Sequence, residues 1–227
     1  MRLRSALVST LAAVSVTLVA APAPAQAGSP AHRAPGDSVT MRLSEAVAAL
    51  PAAEESRAGY VRTAFRHWID ADRDGCNTRK EVIISEAVEA PQVTQPGCVL
   101  TGGQWFSPYD NVTVEDAGAL DVDHVVPLAE AWDSGASTWT PAEREAYAND
   151  LGDERALIAV SARSNRQKAD KDVAEWLPTA GYVCRYITDW TVVKTRWQLS
   201  VDPAEQATLE RLSRSCPDET ITVQHAR

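Results

Sequence analysis

The sequence predicts an α+β fold: one mainly helical domain held by two disulfides, with a strand pair and a following helix set into it. Three observations predict it. Apolar residues recur at helical spacing over much of the chain, with capping residues ahead of them. Two short apolar runs, residues 120–127 and 156–160, interrupt that pattern, and the second leads straight into a polar helical stretch. Four cysteines, Cys76, Cys98, Cys184 and Cys216, all follow an N-terminal export segment.

That segment comes first in the chain. Arg2 and Arg4 form a short basic region, an apolar run spans 6–21, and Ala25-Gln26-Ala27 offers a small-x-small cleavage site. Residues 1–27 therefore read as a signal peptide; the apolar run is short and ends in prolines, unlike a membrane helix. No second run is long enough to span a bilayer, so the product is expected to be secreted, free of the membrane and monomeric. Residues 28–43, rich in Pro, Ala, Ser and Gly at their start, read as a disordered leader. An N-terminal helical part follows over 44–110. Ser44 can cap a helix that Pro51 stops. A second helix is expected over 54–69, with Tyr60, Val61, Ala64, Phe65 and Trp68 on one face and His67 packed beside them.

Asp110-Asn111 marks a turn, and residues 111–216 form the central unit and the C-terminal helices. Strand 120–127 ends at Asp123-His124. Thr140 with Pro141 starts a helix, and 156–160 is a buried strand. Ser161 or Ser164 caps the helix bearing Asn165, and 172–177 extends or follows it. A long amphipathic helix runs over 186–199, and Pro203 opens the last helix, which reaches Cys216. Residues 217–227 read as a polar tail.

The formal net charge is −9, and losing Arg2 and Arg4 makes the mature chain more acidic. Such a protein is not drawn to nucleic acid by its global field; phosphate binding must rest on a local cluster or a metal. An even number of cysteines in an exported chain reads as disulfides, with three connectivities open. The sequential pairing Cys76–Cys98 and Cys184–Cys216 is expected because each pair brackets a local unit. A Cys₄ zinc site is disfavoured, since no CxxC occurs.

Two patterns carry chemistry. Asp123-His124-Val125-Val126-Pro127 and, about forty residues on, Ser164-Asn165-Arg166-Gln167-Lys168-Ala169-Asp170 supply an Asp and an Asn as hard oxygen ligands to a divalent cation. The His between them in role can take a proton from water while neutral at physiological pH. The second pattern is Asp70-Ala71-Asp72-Arg73-Asp74-Gly75 with Glu81, which matches a twelve-residue calcium loop at every required position. Asp70, Asp72, Asp74 and Glu81 would be its side-chain ligands. Val82-Ile83-Ile84 reads as a strand rather than the helix such a loop needs, so an Asp-rich turn is the plainer alternative.

On the first pattern, the chain resembles the secreted HNH endonuclease family, which is similar to the C-terminal nuclease domain of GmrSD-type restriction enzymes. Leu157-Ile158-Ala159-Val160, Ala174-Glu175-Trp176-Leu177-Pro178, Asn77-Thr78-Arg79 and Ser107-Pro108-Tyr109-Asp110 carry the same resemblance, which runs over about 55–216. It implies a ββα-metal finger with Asp123 and Asn165 holding Mg²⁺ or Mn²⁺ and His124 as general base. Arg163, Arg166 and Lys168 would be phosphate contacts, and DNA the substrate, cut with little sequence specificity. Many relatives carry a middle Asn or His that orients the catalytic His; that position falls near Ala156 here, with Asn149 earlier in the loop. The alternative function is a non-catalytic, calcium-stabilised extracellular binding protein on a nuclease-derived fold. A serine or thiol hydrolase has little support, because no GxSxG occurs and the cysteines are expected to pair.

Overall fold

The computed structural model describes residues 34–227; the expected signal peptide and the start of the leader lie outside them. The rest of the leader is structured. Strand β1 (Ser38–Arg42) pairs antiparallel with the last strand, Thr220–Gln224, with Ser38 opposite Gln224 and Arg42 opposite Thr220. The tail expectation is corrected with it. Along Thr220-Ile221-Thr222-Val223-Gln224 the side chains alternate, and Ile221 and Val223 pack on Ala46 and Val192. The tail's polar composition is its outward half.

Helix α1 (Leu43–Ala49) buries Leu43, Ala46 and Val47, and Pro51 follows its end. Its cap lies two residues before Ser44, where the Arg42 N–H meets the Glu45 carboxylate at 3.1 Å. The helix expected over 54–69 does not form. Residues 51–61 run as a strap, bridged at Ala52 to Val201, and only Arg62–Ala64 makes a 3-10 turn. Gly59 and Trp68 take φ values of 76° and 60°, which no α-helix permits. The aromatic residues dock singly instead, Tyr60 and Phe65 on Trp132 and Trp68 on His124, while Val61 is left 57 % exposed.

Helix α2 (Thr78–Ser85) replaces the strand expected from Val82-Ile83-Ile84. The Asn77 side chain accepts from the Lys80 N–H, and Val82 and Ile83 are buried, so cap and packing override β-propensity. Two hairpins follow: β2 (Gln92–Thr94) with β3 (Val99–Thr101), and β4 (Trp105–Ser107) with β5 (Val112–Val114). The second turns at Asp110-Asn111, where Asn111 sits at φ 59°.

Strand β6 (Leu120–His124) leads through a turn to α3 (Leu128–Asp133) and then α4 (Pro141–Ala148), capped by Thr140 as expected. Strand β7 (Leu157–Ser161) returns antiparallel to β6, Leu120 facing Ser161 and His124 facing Leu157. Helix α5 (Ala162–Lys168) follows at once, and Ser161, not Ser164, is its cap. Residues 172–177 form a turn rather than a helix, closed by the Asp172 carboxylate on the N–H groups of Ala174 and Glu175. Helices α6 (Val183–Trp197) and α7 (Pro203–Ser213) complete the core, and β8 is the last strand (Thr220–Gln224).

The fold is α+β, with mixed helix and strand content and two disulfides. These are Cys76–Cys98 and Cys184–Cys216, with Cα–Cα distances of 5.0 and 5.4 Å, and no free cysteine remains. A zinc site made of cysteines is thereby excluded.

Candidate active site

Successive side chains of a strand point to opposite faces. On β6 this places Asp121 and Asp123 toward α5, and His124 toward the loop that ends α4. On α5, Asn165 and Lys168 are three residues apart and share the face that meets β6. The Asn165 side-chain amide donates to Asp121 Oδ2 at 3.2 Å. Lys168 Nζ donates to Asp123 Oδ1 at 2.9 Å and to the His124 carbonyl at 3.0 Å. From the β4–β5 turn, the Tyr109 hydroxyl donates to Asp123 Oδ2 at 2.7 Å.

Lys168 is therefore not the solvent-facing phosphate contact expected from its charge. It is fully buried, and its ammonium balances Asp123. Burial pushes the Asp123 carboxyl up and the Lys168 ammonium down, and each partner opposes the other's shift. Burial and Asp123 also hold the Tyr109 phenol well above its ordinary range, so it stays a donor.

His124 is buried, its ring 5.2 Å from Trp68 and 6.3 Å from Tyr147, with both planes near parallel to it. Its Nε2 lies 2.9 Å from the Ala148 carbonyl, which can only accept. Nε2 thus carries the hydrogen, leaving Nδ1 as the basic atom. Burial pushes the imidazole down to about 3, with Arg62, His67 and Lys168 adding repulsion and the Ala148 bond opposing, so the ring is neutral. His67 is half-buried, bonded at Nδ1 to the Phe65 carbonyl and edge-on to Trp68, a packed histidine as expected.

The Ala148 carbonyl is held by its neighbour. Asn149 Oδ1 accepts from the Ile69 N–H and the Thr78 hydroxyl, both at 3.0 Å. Its amide donates to the carbonyls of Arg66 at 2.8 Å and Glu145 at 2.7 Å. Ala156, counted back from Asn165, is a buried alanine whose carbonyl accepts from the Val125 N–H. Of the two positions, Asn149 is the one that lies beside Ala148, whose carbonyl meets His124 Nε2.

A cleft of about 300 Å³ brings Asp123, His124, Asn165, Arg166, Asp170 and Arg62 together. Arg166 is open to solvent and 3.7 Å from Asp121, and Arg163 is exposed. Arg62 was not foreseen: the sequence put it inside a helix, whereas the strap delivers it to the cleft. Its position depends on contacts far along the chain, which no local pattern signals.

The Asp70–Asp74 turn stands apart as an exposed loop. Asp70 accepts from the Gly75 N–H at 3.1 Å, Asp72 from Asp74 at 3.2 Å and Asp74 from Cys76 at 2.7 Å. One carboxylate oxygen from each of Asp70, Asp72 and Asp74 lies within 4.8 Å of the others. Burial and the three aspartates push the Glu81 carboxyl up, so Glu81 faces the same negative field. The base of the loop closes through the Thr78 N–H on the Ile69 carbonyl at 2.8 Å, and both residues bond Asn149.

The model of the GmrSD restriction endonucleases' C-terminal domain matches residues 68–212, more than half of the chain. An uncharacterised secreted protein of Arthroderma benhamiae is 36 % identical over 203 residues, covering 89 % of this chain and 95 % of that protein. The protein is secreted, as this relative is. Among the described residues no helix is long and apolar enough to cross a membrane. No solved structure matches the chain.

Proposed function

Since the chain belongs to the family of the GmrSD restriction endonucleases' C-terminal domain, we propose that it is a secreted, divalent-metal-dependent endonuclease. Its substrate is DNA, whose phosphodiester bonds it hydrolyses with little sequence specificity. One observation carries this reading: a neutral histidine, with Nδ1 free, shares a cleft with an aspartate and an asparagine. In this reading β6, β7 and α5 are a ββα-metal finger.

Asp123 and Asn165 suit a hard cation. Both residues line the cleft, and each Asp123 oxygen has a lone pair beyond those meeting Lys168 and Tyr109. Mg²⁺ or Mn²⁺ held there would supply charge stabilisation for the phosphate and the leaving oxygen. His124 Nδ1 takes the proton of the attacking water. Tyr109 and Lys168 fix the Asp123 carboxylate, and Arg62, Arg163 and Arg166 bind the backbone phosphates of an otherwise repelled polyanion. Asp70, Asp72, Asp74 and Glu81 would hold a structural Ca²⁺, which tightens the base that Asn149 grips.

One observation favours the second reading, a calcium-stabilised binding protein without catalysis. Asp123 is already charge-balanced by Lys168, an arrangement that stands without a metal.

Plasmid degradation by the purified mature protein decides between them, wild type beside His124→Ala, in EDTA, Mg²⁺, Mn²⁺ or Ca²⁺. Cutting that needs Mg²⁺ or Mn²⁺ and falls at least a hundredfold in His124→Ala is expected, a loss at the lower end of what one positioned general base contributes (about 10²–10⁴-fold). No cutting by folded, oxidised protein under any metal would sink the nuclease reading.

A further inference from the structure

We propose that Glu55, Glu130, Glu205 and Lys194 form a one-proton latch that pins the strap 51–61, and with it the turn that carries Arg62, to the helical core. The cluster lies outside the cleft and involves none of its ligands.

Lys194 on α6 is fully buried. Its ammonium donates to Glu130 Oε1 at 2.6 Å, Glu205 Oε2 at 2.7 Å, Ser134 Oγ at 2.8 Å and the Ser200 carbonyl at 2.8 Å. An ammonium has three hydrogens, so four acceptors already exceed its capacity. The Ser134 hydroxyl bonds Glu130 at 2.7 Å, and the Trp190 indole N–H bonds Glu205. The strap then adds a third carboxyl. Oxygens of Glu55, Glu130 and Glu205 lie within 4.8 Å of one another, and Glu55 Oε1 is buried without a partner.

Three carboxylates around one ammonium leave two uncompensated negative charges, with Glu130 and Glu205 buried and Glu55 half-buried beside them. A proton on Glu55 removes one of them and makes that carboxyl a donor to its neighbours. The groups facing Glu55 are Glu130 from α3, Asp202 and Glu205 from the start of α7, and Lys194 from α6; only Lys194 favours the ionised form. Burial first, then Glu130 and Asp202, push the Glu55 carboxyl up to about 8, from 4.5. Burial likewise raises Glu205.

The strap has further anchors: Tyr60 packs on Trp132, whose indole N–H donates to the Ala58 carbonyl at 3.2 Å, and Arg144 donates to the Ala64 carbonyl at 3.2 Å. Ala53 N–H pairs with the Val201 carbonyl and Val201 N–H with the Pro51 carbonyl, and Arg57 reaches Asp133 and, at 3.7 Å, Asp170 at the cleft. Since the docked strap favours protonated Glu55, docking is strongest below about 4.5 and weakens as pH rises toward 8, levelling off beyond. Linkage makes each pH unit in that window worth up to about tenfold in the docking constant.

Hydrogen exchange resolved to single amides, corrected for intrinsic rates, reads this directly. Between pH 6 and 8 the opening constants at Ala53 and Val201 should rise at least tenfold in wild type. In Glu55→Gln, whose amide never ionises, the same two amides should show no pH dependence. A flat wild-type profile, readable whether or not the variant folds, would overturn the latch. So would an unchanged rise in Glu55→Gln.

Discussion

Asp123 and His124 are neighbours in sequence and sit in different surroundings, because the strand turns one toward α5 and the other toward the end of α4. Removing Lys168 strands Asp123 as a buried, uncompensated charge, so Lys168→Met should cost about 3–5 kcal/mol. Arg166→Ala, at a solvent-exposed ion pair, should cost no more than about 1 kcal/mol. Urea denaturation of the two variants separates a buried ion pair from a surface cation, and equal midpoints would refute the burial of Lys168. Asn149→Ala leaves the Ile69 N–H without its acceptor, while the Thr78 hydroxyl keeps the Ile69 carbonyl, and this should cost about 1–3 kcal/mol. On the nuclease reading it should also lower kcat more than it raises KM, because Ala148 then no longer fixes the His124 ring. An unchanged kcat would mean that something other than Asn149 orients the base. The sequence singled out Asp123, His124 and Asn165 through residue type and spacing, and the fold brings the three to one cleft. It could not announce that Lys168 points inward, because charge alone favours solvent and only the depth of Asp123 reverses that.

The short elements are positioned by polar contacts from distant turns. The Ser161 cap of α5 bonds Asp110 Oδ2 at 2.6 Å, and Asp110 Oδ1 accepts from Ser107 at 2.6 Å. The turn Ser107-Pro108-Tyr109-Asp110 therefore sets the start of α5 and also supplies Tyr109 to Asp123. These four residues were visible as a motif before their task was. Strand 156–160, the Thr140 cap and both disulfides were legible because each depends on local chemistry. Helix α2 and the strap were not: a β-branched run became helical through a cap and burial, and an apolar periodicity became single aromatic anchors. Glu86, just after α2, shows the same long reach. Its carboxylate accepts from the Ala159 N–H on β7 at 2.8 Å, and burial pushes it up to about 7. A carboxyl raised above its unfolded value of 4.5 contributes stability that is present at lower pH and lost as pH climbs through about 7. The loss should be of order 3 kcal/mol, at about 1.4 kcal/mol per unit. Urea midpoints measured from pH 4.5 to 8 should fall less steeply in Glu86→Gln than in wild type. Parallel curves would remove Glu86 from the pH response.

Across the whole molecule, the two ends of the described chain close on each other. β1 and β8 form a sheet whose inner face covers Ala46 of α1 and Val192 of α6. The C-terminal strand also meets the rest of the chain through backbone carbonyls. Arg196 donates to the Gln224 carbonyl at 2.7 Å, and Arg155 to the Thr222 carbonyl at 2.9 Å. Arg196 in turn pairs with buried Asp150, which also takes the Trp197 indole N–H, one residue beyond Asn149. A tail that reads as polar by composition thus supports Asp150, at the end of the loop whose Ala148 carbonyl meets His124. Deleting 217–227 exposes Ile221's and Val223's docking sites, at about 1.5–3 kcal/mol for each side chain. It also takes one carbonyl acceptor each from Arg196 and Arg155, which keep Asp150 and Asp153. Against a total stability of about 5–15 kcal/mol, the truncated protein should melt far below wild type or fail to fold. Val223→Ala, which keeps every backbone contact, should cost about 2 kcal/mol by the loss of two buried carbons. The pair of variants separates packing from backbone pairing. If truncation cost no more than Val223→Ala, the strand would contribute only its apolar face. If neither moved the urea midpoint, the closure of the two ends would hold no part of the fold together.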